Sequence, residues 1–286
     1  MGFPGRRGVV VVAAAAAALV ALSGCATAQT QGAGDPVDST APVVADFPVG
    51  AGVDYQLGGA YPPPDGVGIV ARDSTAEPAS GVWSICYVNG FQSQPGDEAR
   101  FEEVLLRDAA GAPVADPDWP DEYLFDTSTD GNRALIAAQL DTELTRCADA
   151  GFDAVEFDNL DTFTRDPRVT FEGNLALAAE LVARAHELGL AAGQKNTSEF
   201  TRELHERAGF DFAVVEECVA YEECGSYTSV YGDAVVAIEY TDSGATIDEI
   251  CASPGHPASL VLRDRDLVPA GEAGYAFALC PAPPAS

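Results

Sequence analysis

The feature that most constrains the fold is a regular alternation, after residue 53, of short apolar runs with amphipathic segments. The runs are rich in β-branched residues and are typical of strands. Helical spacing of apolar residues marks Arg133–Ala150, Asn174–Leu188 and Thr201–Ala208, with Gly189 as the cap of the second helix. Strands that alternate with helices favour a parallel sheet. The candidate strands are Asp54–Leu57, Val67–Ala71, Trp83–Val88, Glu122–Asp126, Asp153–Asp158, Leu190–Lys195, Asp211–Glu217, Ala234–Tyr240 and Ser259–Asp264.

This number of strands fits an α/β fold of the (β/α)8 TIM-barrel type, formed by one domain. A barrel needs eight strands, so one candidate is in excess, and we expect Val67–Ala71 to be the accessory strand. An open doubly wound sheet is the alternative, but no glycine-rich phosphate loop follows any of the strands.

The N-terminal segment has the pattern of an export signal. Arg6 and Arg7 precede an apolar run, Val9–Leu22, that is short for a membrane span and ends in Leu-Ser-Gly-Cys. Small residues before a cysteine form a lipobox, so Cys25 is the expected lipidation site; an ordinary cleavage after residues 26–28 is the alternative. The predicted organisation is a signal peptide at 1–24, a flexible linker at 25–52 and the barrel at 53–286. We expect an exported monomer, held by its lipid on the outer face of the cell membrane or secreted.

Six cysteines remain once Cys25 carries lipid. An even number outside the cytosol predicts three disulfides, but six cysteines allow fifteen pairings and the sequence does not choose among them. A local Cys218–Cys224 pair would leave Cys251 with Cys280 and Cys86 with Cys147 as candidates. A metal site would need a tight cluster such as CxxC, and the sequence contains none, so we expect no metal.

The chain is strongly acidic, with 45 Asp and Glu against 15 Lys and Arg and a formal net charge of −30. Such a charge repels nucleic acids and anionic polysaccharides and attracts a cationic ligand. The alternative is that the acidic surface serves only solubility or tolerance of salt.

Polar side chains stand at the carboxyl ends of nearly all the predicted strands. In a barrel those ends and the loops after them form the active site, and a polar group ending an apolar strand is costly unless it faces a cleft. Each residue alone could instead cap a turn or sit on the surface. The candidates are Gln56, Tyr87, Asn89, Asp126, Asp158, Asn159, Asp161, Lys195, Asn196, Glu216, Glu239, Tyr240, Arg263 and Asp264.

Paired carboxylates point to glycoside hydrolysis, in which one carboxylic acid protonates the leaving oxygen and an ionised carboxylate acts as nucleophile or base. The three histidines offer no catalytic triad, because His186 and His205 lie in predicted helices and His256 in a Gly-Pro loop. No cofactor is implied. Lys195, the only lysine in the chain, could form a Schiff base, but a role as a charge partner of the carboxylates is favoured. The candidates for sugar stacking are Tyr87, Tyr240, Phe157 and Trp119.

Several ordered motifs resemble glycoside hydrolase family 114 over about residues 54–280. They are DYQLGG at 54–59, CYVN at 86–89, GFDAVEFDN at 151–159, GQKN at 193–196, EEC at 216–218 and IEY at 238–240. The resemblance implies a (β/α)8 barrel and endo-α-1,4-polygalactosaminidase activity on a deacetylated galactosamine polymer, a cationic amino-sugar polysaccharide.

The resemblance also implies residue roles, with Asp158 as nucleophile or base and Glu216 as general acid. Related sequences often carry glutamine where this chain has Glu217, so either of the two adjacent glutamates could face the site. We expect Glu239 to raise the proton affinity of Glu216, and Lys195 or Arg263 to keep Asp158 ionised. The rival functions are a surface lipoprotein that binds cationic glycan without cleaving it, and a glycosidase of another specificity on the same barrel.

Overall fold

The computed structural model describes residues 44–280, which form a barrel of eight parallel strands surrounded by helices. The strand order follows the sequence, and each neighbouring pair from β1 to β8 is parallel. A ninth strand pairs antiparallel with β8. The strands are β1 (Gly52–Gln56), β2 (Val67–Asp73), β3 (Trp83–Asn89), β4 (Ala154–Asp158), β5 (Ala191–Lys195), β6 (Phe212–Glu216), β7 (Val235–Tyr240), β8 (Ser259–Arg263) and β9 (Phe277–Leu279).

The helices lie in the connections after β3. They are α1 (Glu98–Phe101), α2 (Asp130–Ala150), α3 (Phe171–Glu187), α4 (Thr201–Glu203), α5 (Cys224–Tyr231) and α6 (Ile247–Cys251). The two long helices begin at threonines, Thr129 and Thr170, whose side chains accept hydrogen bonds from main-chain amides of the first turn. Gly189 follows α3 with a φ of +81°, which confirms its predicted role as a cap. The predicted third helix is α4 continued by a π-helical turn, Leu204–Ala208.

Alternate residues of each strand belong to two separate apolar layers, as the period of a strand requires. Val53, Ile69 and Phe212 lie in the cluster inside the barrel, whereas Val155 and Phe157 pack outward in the cluster that includes residues of the helices. The alternation decides which side chains of each strand point inward and so can reach the barrel mouth.

Side chains close the barrel where the two end strands meet. β1 lies beside β8, and the fully buried Arg263 of β8 donates to Asp54 of β1 at 2.7 Å and to the Tyr55 carbonyl. Because both ions are removed from water, the loss of either one would leave an uncompensated buried charge.

Two strand predictions were wrong. Val67–Ala71 belongs to β2, a full barrel strand, and Glu122–Asp126 lies outside the barrel, where residues 123–125 form isolated antiparallel bridges. β1, β2 and β3 are joined by loops without helices. The linker was predicted to run to residue 52, but Val44 and Phe47 already pack against the inner layer.

The three disulfides are Cys86–Cys147, Cys218–Cys224 and Cys251–Cys280, one of the fifteen possible sets and the one named from the sequence. Three disulfides fit an exported protein. None of the helices within residues 44–280 is both long and apolar enough to cross a membrane. The predicted signal peptide, the lipidation site Cys25 and the first part of the linker lie outside the described residues.

Candidate active site

Three successive strands bring one cation and two carboxylates together at their carboxyl ends. Asp158 ends β4, Lys195 ends β5 and Glu216 ends β6. The Lys195 Nζ lies 3.3 Å from Asp158 Oδ1 and 2.8 Å from Glu216 Oε2. The two carboxylate oxygens are therefore at most about 6 Å apart, since these two contacts join them.

Asp158 is held by groups on both sides of the strand end. Tyr87 of β3 donates its hydroxyl to Asp158 Oδ2 at 2.8 Å, and the Asn159 amide donates to Oδ1 at 2.8 Å. With Lys195 as a third contact, the carboxylate is fixed in orientation while about a fifth of the side chain stays exposed to the cleft.

Glu216 is also held by three groups. Its oxygens accept hydrogen bonds from the Tyr240 hydroxyl and from the Asn196 side-chain amide at 3.0 Å. Burial works to raise the pKa of Glu216, but the Lys195 ammonium and the hydrogen bonds from Lys195, Tyr240 and Asn196 outweigh it and lower the pKa to about 2. Glu216 is thus ionised in the resting protein. The expectation that Glu239 raises the proton affinity of Glu216 is wrong, because Glu239 is not among the groups that shift its pKa.

Lys195 is nearly enclosed, with 4% of its side chain exposed. Burial opposes the charged ammonium, but the nearby carboxylates, Asp158 first and then Glu216 and Glu156, overcome this and raise the pKa of Lys195 well above its usual value. The predicted charge-partner role of Lys195 agrees with these contacts, and the cation is shared by both carboxylates.

The backbone turns left-handed directly after each of these strand ends. Asn159, Asn196 and Glu217 have φ angles of +65°, +48° and +58°. Asparagine tolerates this region, but a glutamate there is strained. The Glu217 side chain is held by Arg265, whose Nη2 and Nη1 lie 2.8 and 2.9 Å from its oxygens. Glu216 is therefore the glutamate that contacts Lys195.

These residues line a cavity of about 400 Å³, here called the central cleft. A second cavity of about 580 Å³, here called the side groove, adjoins it and shares Asp161, Asn196, Glu216 and Glu217. The central cleft is also lined by Tyr55, Leu57, Tyr87, Trp119, Glu122, Asp158, Asn159, Arg165, Lys195, Tyr240, Arg265, Asp266 and Leu267. The side groove is also lined by Phe163, Thr164, Thr197, Ser198, Glu199, Phe200, Tyr221 and Glu223.

Asp161 and Asn159 are joined by a cation of the following loop. Arg165 lies 3.0 Å from Asp161 and donates to Asn159 Oδ1 at 2.9 Å. Asn89, also predicted at the site, lies behind this rim, where it accepts from Asn159 and donates to Glu122. Asn89 supports the cleft without lining it.

Two predicted site residues lie in the buried network where β1 meets β8, here called the seam. The Gln56 side chain donates to Asp54 and accepts from Arg72, and Arg263 pairs with Asp54. Neither lines the central cleft or the side groove. Of the two cations named as partners of Asp158, Lys195 makes the contact, whereas the Arg263 guanidinium is committed to the seam.

Three further predicted residues hold loops. Asp264 accepts from the amides of Val268 and Ala276, and Asp126 accepts from the Ser128 amide before α2. Glu239 accepts from the Val219 amide at 2.8 Å and is not among the contacts of Glu216. Their carboxylates satisfy main-chain donors, which is the alternative that the sequence left open.

The stacking candidates divide by exposure. Phe157 is fully buried and packs against Phe210, so it is a core residue. Tyr87 and Tyr240 line the cleft with hydroxyls bound to the carboxylates, and the Arg265 guanidinium lies 4.1 Å over the Tyr240 ring. Trp119 is 62% exposed on the wall of the cleft and is free to receive a sugar ring.

Sequence reasoning missed several groups at the site. Glu156 points into the barrel below Asp158, is fully buried, and has a pKa raised to about 8 by desolvation that outweighs the attraction of Lys195. Its signal was a carboxylate at an inward position of an apolar strand. Tyr55, with its ring 6.0 Å from Lys195 Nζ, gave no such signal, and Arg165 and Arg265 lie in loops without a recognisable pattern.

No group of three or more metal-ligating side chains occurs within residues 44–280. The arrangement instead provides two carboxylates, one cation and phenolic donors facing an open cleft at the carboxyl end of a barrel. The fold is a (β/α)8 barrel, and two carboxylates at its open end are the groups that glycoside hydrolysis requires.

Comparison with known proteins identifies the family. The profile of glycoside-hydrolase family GH114 matches residues 34–282, so the chain belongs to that family and is a glycoside hydrolase. No curated protein matches the chain.

Solved structures share the fold at low sequence identity. The crystal structure of Aspergillus fumigatus Ega3 in complex with galactosamine is 20% identical, with a TM-score of 0.64 over 79% of this chain and 96% of that one. The glycoside hydrolase domain of PelA from Pseudomonas aeruginosa is 16% identical, with a TM-score of 0.51 over 76% of this chain and 95% of that one.

Proposed function

We propose that this protein hydrolyses α-1,4-linked galactosamine polymers, with Asp158 as nucleophile and Glu216 as the group that protonates the leaving oxygen. The observation that carries the proposal is the pair of carboxylates joined through Lys195 at the base of an open cleft. Ega3, a structural neighbour with the same fold, was crystallised with galactosamine, which supports this sugar as the substrate unit.

The separation of the carboxylates favours a reaction that retains the anomeric configuration. Retaining glycosidases place the two groups about 5 to 5.5 Å apart, whereas inverting enzymes need roughly 6.5 Å or more to admit a water molecule. An upper limit of about 6 Å fits the first geometry. Asp158, bound by Tyr87 and Lys195, would attack C1, and water would later release the sugar.

Charge supports an amino-sugar polymer over a neutral one. The chain carries a net charge of −30, and the side groove adds the carboxylates of Glu199 and Glu223 to those at the cleft. A polymer of deacetylated galactosamine is cationic near neutral pH, so the field of the protein raises its concentration at the site. The interaction weakens as salt screens it.

The shape of the site supports cleavage within a chain. The central cleft and the side groove are continuous, and each has a strongly exposed aromatic residue, Trp119 in the cleft and Tyr221 in the groove. Exposed aromatic rings on two parts of one groove would support sugar units on both sides of the bond that is cut. We also propose that the protein is exported and anchored by lipid at Cys25, on the strength of the N-terminal pattern and the three disulfides.

The test is the release of new reducing ends from deacetylated galactosamine polymer. Asp158→Asn should remove activity, and Glu216→Gln should lower it about 100- to 10,000-fold, the usual contribution of a general acid–base group. Asp141→Asn and Glu172→Gln, which break surface ion pairs that line neither the cleft nor the groove, should leave it unchanged. Bound polymer without reducing ends would instead favour the non-catalytic surface lipoprotein. Cleavage of another glycan in a substrate panel would favour a different specificity.

A further inference from the structure

The burial and contacts of Lys195 suggest a role beyond that of a simple counterion. It is the only lysine in the chain, it is almost fully buried, and its Nζ contacts both catalytic carboxylates of the proposed reaction. The 2.8 Å contact with Glu216 Oε2 is short enough for direct proton transfer.

The resting site lacks a proton on the group that must deliver one. Because Lys195 and the hydrogen bonds to Glu216 lower the pKa of this carboxyl well below its usual value, Glu216 is ionised near neutral pH. Tyr240 also donates to Glu216, but loss of its proton would leave a buried phenolate beside that carboxylate, whereas loss of a proton from Lys195 leaves a neutral amine. Another source must therefore replenish Glu216.

On the basis of the proposed function, we propose that Lys195 is the proton reservoir of the reaction and supplies, through Glu216, the proton taken by the leaving oxygen. As the glycosidic bond breaks, Asp158 forms a bond to C1, an N–H bond of Lys195 breaks and an O–H bond forms at Glu216. Glu216 passes that proton to the leaving oxygen, and Lys195 is left as a neutral amine. In the second step water attacks C1, Asp158 departs as a carboxylate, and the proton of the water returns through Glu216 to Lys195.

The charge changes of the reaction favour this order. Attack by Asp158 converts a carboxylate into a neutral ester, which removes the first of the charges that stabilise the Lys195 ammonium. At the same moment the leaving oxygen becomes a strong base. Lys195 therefore holds its proton tightly at rest and releases it when the bond breaks.

Other titratable groups face Lys195 and must be considered in any pH study. They are Glu156 and Asp158 on β4, Glu216 on β6, Tyr240 on β7 and Tyr55 on β1, with Tyr87 on β3 reaching Asp158.

The first test uses the wild-type protein and two substrates, the polymer and a galactosamine oligomer with a nitrophenyl leaving group that departs without a proton. If Lys195 replenishes Glu216, kcat/KM for the polymer relative to the nitrophenyl oligomer stays constant between pH 4 and about 7. If Glu216 uses only its own proton, the ratio falls tenfold for each pH unit, and that result overturns the inference. Failure to cleave either substrate would refute the proposed function instead.

The second test compares Lys195→Arg with Lys195→Met. Arginine keeps the positive charge but does not release a proton in proteins. Both variants should act on the polymer only where Glu216 is itself protonated, with kcat/KM falling tenfold per pH unit above its pKa, while the nitrophenyl oligomer shows no such fall. Wild-type pH dependence on the polymer in Lys195→Arg, or equal losses on both substrates in both variants, would show a role in charge or structure alone. Arg207→Gln, at an exposed ion pair, is the control and should match the wild type.

Discussion

Glu156 should make the stability of this protein fall as the pH rises. The carboxyl is fully buried, and its pKa is raised from 4.5 to about 8 mainly by desolvation. The native state thus holds a proton that the unfolded chain releases near pH 4.5. The stability associated with this proton is complete below pH 4.5 and is lost as pH rises through 8.

The magnitude follows from the shift. A difference of roughly three and a half pKa units is worth about 5 kcal/mol in total, of which about 3 to 4 kcal/mol is lost between pH 5 and pH 8. Glu156→Gln has the same shape and cannot ionise. The difference in unfolding free energy, variant minus wild type, should therefore rise by about 3 to 4 kcal/mol between these pH values, roughly 10 °C in Tm for a chain of this size.

The assay is denaturant unfolding of both proteins at several pH values, followed by tryptophan fluorescence. Glu172→Gln is the matched control. The Glu172 carboxylate lies on the surface against Arg207, which lowers its pKa. The unfolding free energy of this variant minus that of the wild type should therefore change little between pH 5 and pH 8. Infrared spectra supply an independent readout, because the wild type should lose a protonated carboxyl band near pH 8 that Glu156→Gln lacks. Parallel stability curves for wild type and variant would refute the argument.

Three further predictions concern the seam, the cleft and the disulfides. Arg263→Met should cost about 3 to 5 kcal/mol in denaturant unfolding because it leaves Asp54 charged, buried and unpaired, and an unchanged midpoint would contradict this. Trp119→Ala should raise KM for the polymer with little effect on Tm, since the indole is 62% exposed on the cleft wall; an unchanged KM would exclude it as a sugar platform. Replacing Cys86 and Cys147 by alanine should cost about 4 kcal/mol from the 61-residue loop they close, measured by unfolding without reductant, and a loss under 1 kcal/mol would count against it.

The barrel and the three central residues could be predicted because both follow from strand periodicity. An inward residue at the carboxyl end of a parallel strand reaches the barrel mouth, and Asp158, Lys195 and Glu216 each end a strand of their own. Strand-end position alone also placed Gln56 and Arg263 at the mouth, yet they lie in the seam where β1 meets β8. A one-dimensional pattern does not show which part of the barrel end is open and which is filled by its own ion pairs.

The sequence shows where extended segments occur better than it shows which of them pair within the barrel sheet. The alternating residues 122–126 look like a barrel strand, but their partners are local antiparallel segments such as Ala115 and Gln92, and pairing partners are not visible in the run itself. The three residues of β9, Phe277–Leu279, are too few to carry a periodic signal. Residues 67–71 form a barrel strand although no helix flanks them.

The residues with left-handed backbone angles after β4, β5 and β6 end these strands at the candidate active site. Each turn ends its strand directly after the residue, Asp158, Lys195 or Glu216, whose side chain lines the cleft. Asn159 and Asn196 make this turn at little cost and use their amides to bind Asn89 and Glu216. Glu217 has no such tolerance, and strain of this kind costs about 1 to 3 kcal/mol. Its carboxylate is bound on both oxygens by Arg265 across the cleft wall, so the contact that offsets the strain also keeps a second glutamate away from Lys195.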